Sequence, residues 1–316
     1  MDGMVRTVIA RQFGDIQNLE VVDLLVAQPE TGQVRIAVRA AAVNPADVKQ
    51  LRGMFGGKTF PLRLGSEVSG VVTAVGPDAI GPAGPIAVGD EVVGYPVRGG
   101  FAAELIAKAD SVLPKPTGLG WGQAAGLLVG AVTAFHLVES VAVAAGDRVI
   151  VHGATGNVGL AVVQLARLRG AEVIGTVSVA HKDELRAFGA VPVLYGPGLS
   201  QRLHALLPDG ADVALDTVGT DEALDASVAL VRDRQRIATV AGFAQAPALG
   251  IRLLGSGPGA DPGTALRSAA RLLMLQLAGD GLLVGPPVIA FPLEQVREAM
   301  TLVSGGHSGG KVVLTP

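Results

Sequence analysis

One stretch limits this chain more than any other: RVIVHGATGNVGLAVVQLARLRGAEVIGTVS, residues 148–178. An apolar strand runs into Gly153, Gly156 and Gly159, a helix starts at once, and a second apolar strand follows, all within about 30 residues. Glycine at these points permits torsions closed to other residues and lets the turn approach a pyrophosphate closely. The helix then offers unpaired N–H groups and the positive end of its dipole. The spacing is GxxGxxG rather than GxGxxG, so its weight comes from the strand–turn–helix context. Ala154, Thr155, Asn157 and Val158 complete the turn and join the glycines as candidate dinucleotide contacts. A glycine-rich turn that binds nothing is the plain alternative. No Lys-Ser or Lys-Thr follows, which excludes a Walker-type phosphate loop.

The end of the second strand selects the coenzyme. An acid there would accept hydrogen bonds from the adenosine ribose and repel a 2′-phosphate. The sequence instead reads GTVSVAHKDELR, with Ser178 in the expected position of the acid and His181 and Lys182 following. A hydroxyl and a cation suit a 2′-phosphate, so NADPH is expected over NADH. In the blander reading Lys182 is a solvated residue at a helix start. Asp183 and Glu184 are expected to face solvent and support the first turn of that helix.

The surrounding rhythm agrees. Apolar runs at 148–152, 172–177, 191–195, 213–216 and 236–240 alternate at first with helical stretches at 157–169 and 182–188. Strand, helix, strand is the mark of a doubly wound parallel sheet covered on both faces. The first 115 residues read differently. Short Val- and Ile-rich segments at 7–9, 19–22, 34–41, 68–75 and 91–93 are separated by Gly and Pro, most densely in the loop tract 75–90. The tail carries helices over 265–278 and 292–304 and a closing strand over 312–314.

Composition removes several classes of function. The chain has 316 residues, enough for about two domains. It contains no cysteine, which excludes disulfides, thiolate catalysis and cysteine-bound metals. The net charge of −3 gives no electrostatic reason to expect nucleic acid or an anionic membrane. Mean hydropathy is +0.46, yet the longest uncharged stretch, 116–138, is broken by five glycines and reads as one or two buried helices. The start, MDGMVRTVIARQFGD, has no basic cluster before an apolar run, so a cytoplasmic protein is expected.

Further motifs extend the pattern along the chain: AAVNPADVKQLRG (41–53), PLRLGSEVSGVVTAVG (61–76), GDEVVG (89–94), GGFAAE (99–104), DVALDTVG (212–219) and GGKVVL (309–314). With the glycine turn they resemble, from about Met4 to Leu314, the medium-chain dehydrogenase/reductase superfamily, in its zinc-independent quinone oxidoreductase type. The resemblance implies a Rossmann domain at 121–264 and a discontinuous, β-rich GroES-like substrate domain made of 1–120 and 265–316. It also implies a homodimer formed through the edge of the nucleotide sheet near 251–254. Where zinc-dependent members carry a ligand Cys this chain has Asn44, and where they carry His before Glu it has Ser66 before Glu67. Neither Asn44 nor Ser66 is a good zinc ligand. The implied reaction is hydride transfer from NADPH to a quinone or to the β-carbon of an enone.

Such a reaction needs donors near the oxygen where negative charge builds, and then a proton. The resemblance offers Asn44 as that donor; capping of the turn before Pro45 is its plain alternative. It places Thr133 near the nicotinamide, the backbone of Ala241 and Gly242, with Phe243 following, against the carboxamide, and Lys311 in the same neighbourhood. A solvated lysine is the other reading of Lys311. Phe55 stands where relatives carry a tyrosine, so Tyr95 is the candidate proton donor, or else it is a rim aromatic and solvent or a hydroxyl of the coenzyme gives the proton. Met54, Phe55, Tyr95 and Phe101 are expected to line an apolar substrate pocket. Glu67, if buried, needs a partner, for which Arg52 is the candidate. His152 reads as a packed core residue, and His136, His204 and His307 as helix-surface or loop residues. Asp216 and Thr217 end a strand and either approach the coenzyme or cap a turn. Two further functions remain open: an enoyl-thioester reductase of fatty-acid or polyketide assembly, and a non-catalytic NADPH-binding protein.

Overall fold

The computed structural model describes residues 3–55, 59–306 and 308–316; His307 lies outside them. The chain divides into two compact units. One runs to Val129 and takes in Leu272–Gly281 and Pro287–Pro316; the other is Gly130–Arg271 with Leu282–Pro286. Both divisions near the expected boundaries, 120/121 and 264/265, come inside helices, Leu128–Ser140 and Thr264–Gly279. A helix that runs on from one unit into the next leaves no break in composition to read.

The first unit is β-rich. Its larger sheet is ordered Val112–Pro114, Glu91–Gly94, Val68–Val75, Gln33–Ala42, Lys311–Thr315 and Val288–Pro292, with Glu104–Lys108 also paired to Gln33–Ala42. Pairing is antiparallel except between the last two strands. Gln33–Ala42 shows why: Val34, Ile36 and Val38 alternate with more exposed residues, the period-2 pattern of a strand with one buried face. A smaller sheet joins Leu19–Leu25, Met4–Ala10 and Leu62–Arg63. Their apolar faces form one core with Leu51, Leu64, Phe101 and Met300. Phe101 is fully buried there, so it lines no pocket, contrary to the expectation.

The second unit is a six-stranded parallel sheet ordered Val191–Leu194, Glu172–Val177, Arg148–His152, Val213–Asp216, Ile237–Thr239 and Arg252–Leu253. Numbered along the chain the order is 3-2-1-4-5-6, the doubly wound arrangement in which ligands lie outside the carboxyl ends of the strands where the order reverses. That reversal falls beside Arg148–His152, the strand that leads into Gly153. Among the described residues no helix is long and apolar enough to cross a membrane; stretch 116–138 holds the helix Trp121–Ala125 and most of Leu128–Ser140.

Candidate active site

In the second unit the polar groups gather at the carboxyl ends of the strands. Gly153 has φ +73°, and a Cβ on it would stand 2.6 Å from Val218 Cγ1. A Cβ on Gly159 would stand 2.0 Å from Gly153 O, so the helix Asn157–Leu168 packs on the turn only with glycine there. Gly156 differs. A Cβ on it would meet nothing nearer than Gly153 O at 3.4 Å, so packing does not demand glycine. The space it leaves is open to a ligand at the helix N-terminus, where the first-turn N–H groups precede the first intrahelical bond, from Leu160 N to Gly156 O. A diphosphate fits this cradle.

The turn is tied down from behind. Gly153 N donates to Thr176 Oγ1 (3.1 Å), and Thr217 Oγ1 donates to His152 O (2.7 Å). Asp216, fully buried, accepts from Val218 N and Gly219 N and from Thr239 Oγ1 at 2.5 Å. Burial pushes its carboxyl up, against the hydrogen bonds that hold it down. Thr239 Oγ1 in turn accepts from Ala241 N (3.0 Å) and Gly242 N (2.8 Å). Asp216 and Thr239 thus set two adjacent strand-end turns. The sequence reading singled out Ala241 and Gly242 for their backbone, and the structure commits both N–H groups to Thr239. The Phe243 ring lies against Gly257.

At the end of Glu172–Val177 the Ser178 hydroxyl lies 2.9 Å from His181 Nδ1, and Lys182 begins the next helix. Tyr195 joins this corner: its N–H donates to Val177 O and its side chain is half exposed. Sequence reading noted the strand but not this neighbour. Thr133 is buried one turn on from Gly130, whose missing Cβ makes room for the Asn157 amide. His152 is a core residue, as read. Ser227 Oγ donates to Ala223 O, so His152 Nε2 donates to Ser227 Oγ (3.1 Å) and Nδ1 carries the unpaired lone pair. Burial lowers this imidazole to about 4. His136 corrects its reading: it is buried, accepts at Nδ1 from Arg267 Nε and faces Asp261 through Nε2, and burial lowers it first, Arg267 next. His204 is exposed on a helix, as expected.

The first unit holds a buried polar cluster. Asn44 is the N-cap residue of Pro45–Leu51, and its N–H donates to Asp47 Oδ2 (2.8 Å). Its side chain is engaged at both ends: Oδ1 accepts from Lys311 Nζ at 2.5 Å and Nδ2 donates to Glu67 Oε1 at 3.0 Å. Glu67, fully buried, also meets Lys311 Nζ at 3.1 Å and accepts from Val129 N at 2.8 Å. Lys311, from the final strand, is therefore not a solvated lysine, and its stem crosses Gly126, where a Cβ would come within 2.5 Å of Lys311 Cγ. Arg52 is exposed, so the partner of Glu67 is Lys311 instead. Asp47 also accepts from Gly65 N, and burial raises its carboxyl to about 6. Tyr95 is half-buried; Val97, two residues on, donates its N–H to Ser66 O, next to Glu67. Met54 is exposed and Phe55 half-buried.

Residues 30–138 match the alcohol dehydrogenase GroES-like domain family and 157–256 the zinc-binding dehydrogenase family. A solved NAD-dependent alcohol dehydrogenase superposes with a TM-score of 0.84 over 98% of this chain and 99% of that one, at 29% identity. The chain belongs to the medium-chain dehydrogenase/reductase superfamily. As a member it is an oxidoreductase with a nicotinamide coenzyme, and its two units are the Rossmann-like and GroES-like domains of that superfamily. The quinone oxidoreductase of Pseudomonas syringae pv. Tomato DC3000 shares the fold at 23% identity, with a TM-score of 0.85 over 99% of this chain and 100% of that one. The spectinabilin polyketide synthase system protein NorB of Streptomyces orinoci is 36% identical over 304 residues, 90% of this chain but 13% of that protein.

The zinc ion that one matched family is named for does not suit these residues. Asn44 offers an amide already engaged at both ends, and the Lys311 ammonium lies within the same donor set, where it would repel a dication. Among the described residues no three His, Cys, Asp or Glu converge on a metal position.

Proposed function

We propose that this superfamily member reduces quinones or small α,β-unsaturated carbonyl compounds with NADPH and without zinc. The observation that carries the reading is the buried Asn44–Lys311–Glu67 cluster. It provides a rigid amide donor and a fixed ammonium where a metal-dependent relative would need metal ligands. When bound, the nicotinamide supplies the hydride. The protein then stabilises negative charge on the acceptor oxygen through a hydrogen bond from the Asn44 amide, which Lys311 and Glu67 hold in place. Ser178, Lys182 and the exposed Tyr195 side chain, with no acid at the strand end, support the 2′-phosphate of NADPH. Tyr95 is the proposed proton donor, beside the Ser66–Glu67 segment. A second copy of the chain pairing along the Arg252–Leu253 edge is the proposed oligomer.

The test is coenzyme oxidation measured against a quinone panel and an enone panel, with NADPH and NADH compared at several concentrations. NADPH turnover that survives chelator treatment is expected. Lys182→Glu should weaken NADPH at least about tenfold, the scale of one lost charge contact at about 1.4 kcal/mol, and leave NADH unchanged. Preference for NADH, or metal-dependent turnover, would overturn the assignment. Polyketide synthases among the relatives favour a second reading, an enoyl-thioester reductase. Faster turnover of a crotonyl thioester than of free enones would select it.

A further inference from the structure

The donors of the buried cluster can be counted. Lys311 Nζ has three hydrogens and three oxygens around it: Asn44 Oδ1, Glu67 Oε1 and, more distantly, Val43 O at 3.5 Å. Glu67 Oε2 is taken by Val129 N, and the Asp47 oxygens by Asn44 N and Gly65 N. Asn44 Nδ2 has two hydrogens and gives one to Glu67. The second has no partner among the described residues, although Asn44 is 3% exposed. A buried amide hydrogen without an acceptor is costly, and it points to an oxygen that arrives from outside.

An asparagine alone would not hold that hydrogen in one direction, since its amide can turn over with little loss. Here the ends are distinguished by charge. An ammonium accepts nothing and an ionised carboxylate donates nothing, so Oδ1 must face Lys311 and Nδ2 must face Glu67. Gly126 beneath the Lys311 stem and Val129 N on Glu67 fix both clamps in turn.

We infer that Lys311 is a positioning residue: together with Glu67 it grips the Asn44 amide by both ends and aims the free Nδ2 hydrogen at the substrate oxygen. In this role it acts through Asn44 rather than by touching the coenzyme, the contact that the resemblance implies for it. The inference rests on the proposed reduction for its kinetic readout, but its structural readout does not.

The test uses the full chain. Lys311→Met should lower kcat about 100-fold, the scale of a lost oxyanion donor, with KM for NADPH changed by less than about twofold, since uniform binding is untouched. In an Asn44→Ala background the same substitution should cost nothing more, because Lys311 acts through the amide. Lys311→Met strands the buried Glu67 carboxylate, so Lys311→Met/Glu67→Gln is made in parallel to remove that charge as well. Side-chain amide NMR of 15N-labelled protein supplies the readout independent of turnover. The Asn44 NH2 pair should be slowly exchanging in the wild type and fast in both variants. Multiplicative losses with Asn44→Ala, a rise in the NADPH KM alone, or unchanged Asn44 resonances in the variants would each overturn the inference. If the wild type turns over no quinone, enone or thioester, the proposed function fails while the NMR comparison still decides the role of Lys311.

Discussion

Thr239→Val tests the strand-end hub with almost no change of shape, because a methyl replaces a hydroxyl. The hydroxyl makes three hydrogen bonds, donating to Asp216 Oδ2 and accepting from Ala241 N and Gly242 N. The bond to a carboxylate is worth about 2 kcal/mol, and a buried N–H left without an acceptor costs about 1–3 kcal/mol. Gly242 is buried and pays that in full, whereas half-buried Ala241 recovers part from water. The expected loss is about 4 kcal/mol. Thr239→Ser keeps the hydroxyl and loses one methyl, about 1 kcal/mol. Urea unfolding followed by circular dichroism, with the slope checked for constancy, measures both. The Thr239 bond also holds the Asp216 carboxyl down, so its loss lets burial push that group further up. The deficit of Thr239→Val should therefore be larger at pH 7 than below the ordinary carboxylate range, where Asp216 is protonated. Dinucleotide affinity should fall with stability, since the same turns border the glycine cradle. A valine variant as stable as the serine variant would refute the hub.

Other expectations follow from neighbouring features. Gly159→Ala puts a Cβ 2.0 Å from Gly153 O and should destabilise the Rossmann-like unit by about 2–3 kcal/mol, read by thermal melts. Gly156→Ala should melt like the wild type yet bind the dinucleotide at least about tenfold more weakly, by titration calorimetry. Asp47 and His152 should give opposite pH slopes. With Asp47 raised from 3.8 to about 6, the stability it contributes is fully present below pH 3.8 and lost as pH rises through about 6. With His152 lowered from 6.5 to about 4, its contribution is present above pH 6.5 and lost as pH falls towards 4. Each amounts to about 3 kcal/mol at about 1.4 kcal/mol per pH unit. Asp47→Asn should flatten the first dependence and His152→Phe the second, as measured by differences in unfolding free energy from wild type between pH 4 and 7.

The sequence was most legible where local pattern and structure share a scale. The strands Arg148–His152, Glu172–Val177 and Val213–Asp216 end where they were read, because each is an apolar run closed by Gly, Ser or Thr. The glycine turn was legible for the same reason. Two-residue strands such as Leu62–Arg63 and Arg252–Leu253 were not, since so short a span carries no period. Within the candidate site Asn44 was found through its Asn-Pro motif, but its partners were misjudged. Arg52 is near Glu67 in sequence, while Lys311 arrives from the far end of the chain, and periodicity says nothing of such pairs. His136 failed likewise: its partners Asp261 and Arg267 belong to a distant segment. Phe101 was placed at a pocket because an aromatic in a glycine-rich loop carries no sign of how deeply it will sink. Thr239 carried no signal at all, being one hydroxyl among many at a strand end.

Lys311 also makes the order of synthesis matter. The strand that carries it, Lys311–Thr315, pairs with Gln33–Ala42 but is made long after it. Until it docks, Glu67 has no counter-charge, so that portion of the sheet gains little from closing early and can stay hydrated. Cutting the chain before Lys311 would thus remove more than an interior strand: it would leave a naked carboxylate at the heart of the β-rich unit. Molecules cut before Lys311 should therefore be open and protease-sensitive in the β-rich unit, because only that strand brings an ammonium to Glu67.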